Sequence, residues 1–414
     1  MQPSLTLNGT TWLRSLSFVA GAGMMTASVM TMRHFFMANY PETIWQGSFC
    51  DISAFFNCDS SAFSVTSQVA GVPLGYFGLI VGALVALGAI FPSAAFERTN
   101  KSIATLNVLG VVALLLYSVF WLKSLCLLCA GFYVSSAFSF VLFWKYGIDA
   151  DARGLRQKYL RPSVKHLAVS AVVLLAGAFG TQMFHEAKKQ AQSGGVAARI
   201  VEQYFSLPTV NAPSIVSPYW PVRSTERFTD APIQVIEYAD FLCPDCHFLF
   251  QQLEKLETEF QGKVNIAFQF FPLEVKCNTV VEKNLHPGAC ELAYIAAQDP
   301  AKFAAIHDEI FTHFKEARDP EWRRDLARRH GVEAALSDAR TKEIVRRILN
   351  TGAEYEKTSD KYAHGIRSTP TMIVNNRMII GTLPYVQLRA IFQALVDRSG
   401  GQKKFIENWE PTRP

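Results

Sequence analysis

Five stretches of this chain carry no Asp, Glu, Lys, Arg or His: Ser15–Met32, Ser60–Phe96, Ser102–Leu122, Ser124–Trp144 and Leu167–Phe184. A spanning helix needs roughly 18 or more apolar residues, so each stretch is long enough to cross a bilayer. The second is too long for one helix. Its span is expected near Val72–Phe91, with Ser60–Gly71 left as a polar loop or half-helix. The first also fits a removable signal segment, although no clear cleavage site follows it. Beyond residue 185 charges become frequent, and the pattern is that of a water-soluble domain.

Short loops rich in Lys and Arg stay on the cytoplasmic side. The loop after the fourth stretch carries Lys145, Arg153, Arg156, Lys158, Arg161 and Lys165, and the one after the second carries Arg98 and Lys101. The other two connections have only Arg33 and Lys123. Five spans then put the amino terminus inside and the carboxyl-terminal domain outside. The spans lack carboxylates and lysines, which argues against an ion pump. The net charge of +5 over 414 residues forms no basic stripe with interleaved aromatics, so nucleic acid is not an expected partner.

The eight cysteines fall in four pairs: Cys50 with Cys58, Cys126 with Cys129, Cys243 with Cys246, and Cys277 with Cys290. An even, paired set points to an oxidising compartment or a thiol-handling protein. The predicted topology puts the first two pairs at the outer leaflet. On a helix, Cys126, Cys129 and Tyr133 share one face. In a first helical turn, free N–H groups favour a thiolate, the form that attacks disulfides. Tyr133, a turn deeper, suits a hydrogen bond to the carbonyl of an apolar ligand such as a quinone. The competing readings are inert helix cysteines and a zinc pair.

The spacing is distinctive: Cys-x7-Cys in a loop, Ser64 six residues later, Gly71 and Pro73 opening a helix, then Cys-x-x-Cys four residues before Tyr133. It resembles the vitamin K epoxide reductase family, in particular bacterial members fused to a thioredoxin-like domain. The resemblance covers residues from about 10 to 150. It implies a four-helix redox core within the five-helix, all-α membrane bundle. It also implies that Cys50 and Cys58 shuttle electrons, that Cys126 and Cys129 form the active pair, and that Tyr133 and Ser64 contact the quinone, of ubiquinone or menaquinone type. Asp59 departs from the Ser often found after the second loop cysteine.

In the outer part, "HEAKKQAQSGG" reads as flexible and "VAARIVEQYFSLPTV" as a short helical arm. The expected domains are 1–186 in the membrane, 187–224 as linker and arm, and 225–414 as the soluble domain. "IQVIEYADF" reads as a strand, and Cys243 falls where it gives way to a helix with Pro244 at the first position. This strand–CPDC–helix order resembles the α/β thioredoxin fold of bacterial dithiol oxidases with an inserted helical subdomain. The insertion is expected over about 289–360. The resemblance implies a cis Pro370 after Thr369, set against the active-site sulfurs. A zinc half-site is the competing reading of CPDC; no metal is expected. Asp245 stands where strongly oxidising relatives often carry His, and its carboxylate should disfavour a Cys243 thiolate. Cys277 and Cys290 are expected to form a structural disulfide. The runs in "ARDPEWRRDLARRHG" read as solvated helix faces.

These readings combine into a multi-pass thiol oxidoreductase of a bacterial inner membrane. Reduced secreted or periplasmic proteins give electrons to Cys243–Cys246, which pass through Cys50–Cys58 and Cys126–Cys129 to a quinone. The rivals are outward flow, as in a disulfide reductase or isomerase, and a tethered chaperone.

Overall fold

The computed structural model describes residues 11–42, 44, 55–148, 162–191, 195–357 and 365–399. The chain forms two compact units, Met1–Asn39 with Phe55–Gln190, and Tyr40–Ala54 with Ala191–Pro414.

The first unit is helical. Its elements are α1 (Thr11–Asn39), the short α2 (Asp59–Ala62), the strand pair β1 (Gln68–Val69) and β2 (Val72–Pro73), α3 (Leu74–Ile90), α4 (Ala94–Leu116), α5 (Leu127–Tyr146) and α6 (Val164–Ala191). Helix α1 lies against α3 and α5, around Leu13, Met24, Val85 and Leu142. Small residues set how closely α1 and α3 approach. A Cβ on Gly21 would lie 2.6 Å from Ala86 N, and one on Gly82 would lie 2.8 Å from Gly21 O. In hydrocarbon, where apolar burial drives little association, such close backbone packing is a principal source of helix–helix affinity.

Among the described residues, four helices are long and apolar enough to cross a membrane: Thr11–Asn39, Ala94–Trp121, Leu127–Tyr146 and Val164–Ala191. The expected fifth span is the shorter helix Leu74–Ile90 of 17 residues. That is about 26 Å of rise, at the short end of what crosses a bilayer.

The helices also outrun their charge-free stretches. Helix α1 takes in Arg14, Arg33 and His34. The Arg14 guanidinium donates to Ala89 O at 3.0 and 2.9 Å, answering carbonyls at the end of α3. Ser93 caps α4, accepting from Phe96 N, so Glu97, Arg98 and Lys101 lie in a helix and not in a loop. Glu97 and Lys101 are buried. Ile148 N donates to Glu97 Oε1 at 2.6 Å, and Lys101 Nζ donates to Ile148 O at 2.7 Å. The expectation of helices free of buried carboxylate and lysine therefore fails at this end, where the two charges satisfy the backbone just past α5. Arg153, Arg156, Lys158 and Arg161 lie outside the described residues. At the far end, α6 continues through "HEAKKQA", which the sequence reading expects to be flexible.

The second unit is built on a five-stranded sheet in the order β3-β5-β4-β6-β7: β3 (Val222–Arg223), β4 (Ile233–Ala239), β5 (Val264–Phe270), β6 (Thr371–Val374) and β7 (Arg377–Ile380). Strands β4 and β5 run parallel and the other pairs antiparallel. Every residue of β4 and β5 is buried, as befits central strands covered on both faces. Pleating sends Ile233 and Val235 to one face, where they pack with α7 (Ala197–Ser206), α8 (Pro244–Glu259) and α13 (Tyr385–Ser399). Ile236 and Tyr238 face the other side. Between β5 and β6 come α9 (Ala289–Ala297), α10 (Phe303–Thr312), α11 (Pro320–His330) and α12 (Ala339–Asn350). The arm helix α7 is part of the core: Ile200 and Tyr204 are fully buried, and Tyr204 Oη donates to Val374 O. The segment after α1 belongs here too. Ile44 is in the same cluster and its N–H donates to Gln203 Oε1, while Gln387 Nε2 donates to Pro41 O.

The α1–α3 approach is testable. Gly82→Val places two methyl groups against the Gly21 backbone, and overpacking of this kind costs about 1–3 kcal/mol. The thermal midpoint of the detergent-solubilised protein should fall by several degrees, whereas Gly110→Val, whose Cβ would meet nothing within 4 Å, should leave it unchanged.

Candidate functional site

The membrane unit brings sulfur atoms together by a short backbone ladder. Residues 55–57 run parallel to Leu125: Leu125 N donates to Phe55 O at 2.6 Å, and Asn57 N donates to Leu125 O at 3.2 Å. Ser124 Oγ adds a bond to Asn57 O. The residue after each rung is a cysteine, so Cys58 and Cys126 face each other, with Sγ–Sγ 3.3 Å. Both are buried. Cys58 is held in a disulfide, whereas Cys126 and Cys129 are free thiols. Cys50 lies outside the described residues.

Cys126 is not in the first turn of α5 but caps it. Its backbone is extended, at φ −75° and ψ 123°, and its sulfur accepts from Cys129 N at 3.3 Å. A sulfur at this position meets an otherwise orphaned N–H and the positive end of the helix. Cys129 is therefore the third residue of the helix, as in the i, i+3 reading.

Cys58, Cys126 and Cys129 open onto a cavity with about 590 Å³ of empty space, mouth included. Its wall also carries Tyr133, Ser118, Tyr117, Ser64 and His34. Residues Tyr117–Trp121 form a π-helical turn at the end of α4. Such turns recur at functional sites, and this one puts Ser118 beside the Tyr133 hydroxyl. Ser64 lines the cavity, but its hydroxyl is engaged in its own turn, donating to Ser61 O at 2.9 Å and pairing with Thr66 Oγ1 at 3.0 Å. The cavity has a sulfur end, a phenol end and largely apolar walls.

The second unit repeats the local device. Cys243 caps α8 at φ −77° and ψ 124°, Pro244 fills the first helical position, and Cys246 is the third helical residue. Both are free, buried thiols. The Thr369–Pro370 bond is cis, and the Cys243 thiol donates to Thr369 O at 3.4 Å. Asp240 N donates to Cys246 Sγ at 3.5 Å. The Asp240 carboxylate holds the turn together, accepting from Leu242 N and Leu273 N, each at 2.6 Å, and pairing with His286 Nδ1 at 2.9 Å. Cys277 and Cys290 are joined, with an S–S length of 2.02 Å, across the segment that carries His286.

Three features here have no signal in the residue order. Glu237, on β4, is fully enclosed, and burial pushes its carboxyl up to about 8. It acts electrostatically on Cys246, whose own thiol burial drives well above the ordinary range. A carboxylate in a strand of alternating residues is unremarkable until its burial is known. His247 stacks on Phe314 at 4.6 Å, and burial, then Lys315, pull it down to about 4, so it is neutral at physiological pH. Arg318 lies near enough to Cys243 and Asp240 to interact electrostatically with both. The basic run is thus not wholly solvated: Arg323 is also buried, donating to Glu291 and to the carbonyls of Ala317 and Arg318.

Residues 15–144 match the model of the vitamin K epoxide reductase family, and residues 228–394 match a thioredoxin family model. Disulfide bond formation protein D of Bacillus subtilis is 25% identical over 173 residues, or 39% of this chain and 71% of that protein. The Na(+)/H(+) antiporter NhaA 1 of Mycolicibacterium gilvum is 27% identical over 184 residues, but the match spans only 27% of the antiporter's length. Among solved structures, oxidised BdbD from Bacillus subtilis is 21% identical, covering 46% of this chain and 98% of that one at a TM-score of 0.35. A Proteus mirabilis ScsC linker-deletion mutant is 18% identical, covering 57% and 97% at 0.32.

The Glu237 shift makes a stability prediction. Its carboxyl ionises near 4.5 when unfolded and near 8 when folded, so the native state is favoured below 4.5 and loses that advantage as pH rises to 8. Glu237→Gln should therefore resist denaturant better than the parent chain at pH 8, by a few kcal/mol. The difference should vanish below pH 4.5, as read by urea unfolding of the soluble unit's fluorescence within the full chain.

Proposed function

The chain joins a vitamin K epoxide reductase family domain to a thioredoxin-like domain, and from that premise we propose that it oxidises the thiols of exported proteins and delivers the electrons to a membrane quinone. At the coarser level it is a membrane thiol–disulfide oxidoreductase. The observation that carries the finer reading is the 3.3 Å separation of Cys58 and Cys126, one oxidised and the other a thiol, at the rim of a cavity that continues to Cys129 and Tyr133.

In this reading a reduced client first attacks the Cys243–Cys246 disulfide. The client thiolate bonds to Cys243, at the helix cap, and Cys246 leaves as a thiolate that takes its proton from the protonated Glu237 carboxyl. The client's second thiol then attacks the client sulfur of the mixed disulfide and frees Cys243; Cys246, returning its proton to Glu237, resolves the later mixed disulfide between Cys243 and the loop. Cys243 then reduces the loop pair, Cys58 passes electrons to Cys126, and Cys129 faces the acceptor. Each exchange depends on the attacker's thiolate fraction, the leaving group and access. A quinone in the cavity would take two electrons and two protons. Cys129 supplies the attacking sulfur, and the Tyr133 and Ser118 hydroxyls orient a carbonyl. Covalent fusion raises the effective concentration of one redox unit at the other. The proposed setting is the bacterial inner membrane, with all three redox pairs on the outer side and the amino terminus inside. Domain limits at 1–186, 187–224 and 225–414 remain part of the proposal, as do the site roles of Cys50, Ser64, Thr369 and Pro370.

Anaerobic quinone reduction by the purified chain, supplied with a reduced unfolded protein and followed by absorbance, tests this. Replacement of any one redox pair by alanine should reduce the rate at least about 100-fold, whereas Cys277→Ala with Cys290→Ala should retain turnover where the domain stays folded. Cys129→Ala should stop quinone reduction but leave Cys243–Cys246 able to exchange with client. Undiminished quinone reduction by Cys129→Ala contradicts the reading.

A further inference from the structure

Beside the two facing sulfurs lies an acid–base pair that the electron path does not use. His34, on α1, and Asp59, on α2, are 8% and 5% exposed, with Nε2–Oδ1 2.8 Å. Asp59 directly follows Cys58, which caps α2. His34 shares the cavity wall with Cys58 and Cys126 and is near enough to act electrostatically on Cys126. Burying such a pair costs several kcal/mol per ion before attraction returns part of it. Holding α1 to α2 does not require it, since Asn39 Nδ2 already donates to Ala62 O at 3.1 Å.

Thiol exchange in this place has an unmet need. A neutral thiol is a poor nucleophile, and sulfurs this buried have little water to take up or return protons. Imidazole is the side chain that exchanges a proton near neutrality, and a carboxylate on one ring nitrogen fixes its tautomer and supports its charged form.

We propose that His34, oriented by Asp59, accepts and returns the proton in exchange between Cys58 and Cys126; this rests on the loop-to-membrane order proposed above. The Cys58 thiol gives its proton to His34. The Cys58 thiolate attacks Cys126 Sγ of the Cys126–Cys129 disulfide, an S–S bond forms between Cys58 and Cys126, and the Cys126–Cys129 bond breaks with its electron pair leaving on Cys129. The Cys50 thiolate, its proton released to solvent, then attacks Cys58, and Cys126 departs as a thiolate. The imidazolium returns its proton to Cys126. Two electrons have moved inward, and the loop is left oxidised and Cys126 a thiol, as observed. Asp59 is a positioning residue in this scheme. Among the described residues, the other titratable groups lining the cavity with His34 are Cys58, Cys126, Cys129, Tyr133 and Tyr117, and α3 lines it with Leu74 and Gly75, after Pro73. His185 of α6 meets Phe35 and Phe36 instead.

The experiment uses the oxidised, quinone-free full chain with one equivalent of dithiothreitol, acid quench, thiol labelling and mass spectrometry. The interval between label at Cys58 and label at Cys126 gives the transfer rate, and Cys58→Ala measures direct reduction of the membrane pair. Wild-type transfer should vary little between about pH 6.5 and 8.5, the range that imidazole buffers. His34→Gln should be about 100-fold slower at pH 7 and recover nearly tenfold per pH unit as the thiols ionise unaided. Asp59→Asn should show a smaller loss with the same recovery. A His34→Gln rate within twofold of wild type, or a loss equal at every pH, overturns the inference. Where His34→Gln fails to fold, the pH profile of Asp59→Asn decides: a recovery with rising pH supports the inference, and a flat loss overturns it. If wild-type Cys126 gains no label after Cys58, the proposed electron path fails and the inference falls with it; transfer in wild type with an unaffected His34→Gln sinks the inference alone.

Discussion

Two backbone hydrogen bonds, between Leu125 and the 55–57 segment, bring Cys58 and Cys126 face to face in the membrane unit. Sulfur exchange demands near contact, and side-chain packing alone holds a loop cysteine poorly. A parallel ladder does it better, because consecutive residues on paired strands leave side by side. Cys58 and Cys126 are those residues. The Ser124 hydroxyl on Asn57 O and the Ser124 N–H on Ser118 O anchor the ladder to the π turn, so the facing sulfurs and the cavity wall share one support.

The two redox units reach the same local solution from unrelated folds. In each, the first cysteine sits at a helix cap with almost the same backbone angles, and the second is the third helical residue. The surroundings then set different chemistry. Cys126 accepts an amide N–H from Cys129, which favours negative charge on its sulfur. Cys243 instead donates to Thr369 O, and its partner Cys246 lies near a buried carboxyl. Asp245 adds negative charge near the CPDC turn, and Arg318 adds positive charge, so Asp245 alone represents only one side of that balance.

Much of this is legible in residue order. Charge-free runs mark the helices, and the strand–CPDC–helix order marks the thioredoxin-like sheet, because apolar periodicity and cysteine spacing are local signals. The rest depends on contacts distant in sequence. Charges at helix ends read as loop until Glu97 and Lys101 are seen to satisfy Ile148. His34 lies just outside a charge-free run, and its partner Asp59 is in a different element. Glu237 reads as the polar face of a strand that in fact has both faces covered. The expected linker holds a core helix, since Ile200 and Tyr204 find partners only in the folded sheet. The helix expected near Val72–Phe91 is found at Leu74–Ile90, but its 17 residues make it shorter than the four apolar helices long enough to cross a membrane.

Direct exchange between Cys58 and Cys126 is the step on which the electron path depends. With Cys50→Ser and Cys129→Ser together, neither the loop nor α5 carries a second thiol that can resolve a bond formed between Cys58 and Cys126. Membranes from cells expressing this variant, acid-quenched and digested without reductant, should yield a peptide in which Cys58 is linked to Cys126 as the dominant disulfide of the loop. Recovery of Cys126 as an unlinked thiol, or linked to a cysteine other than Cys58, would contradict the account.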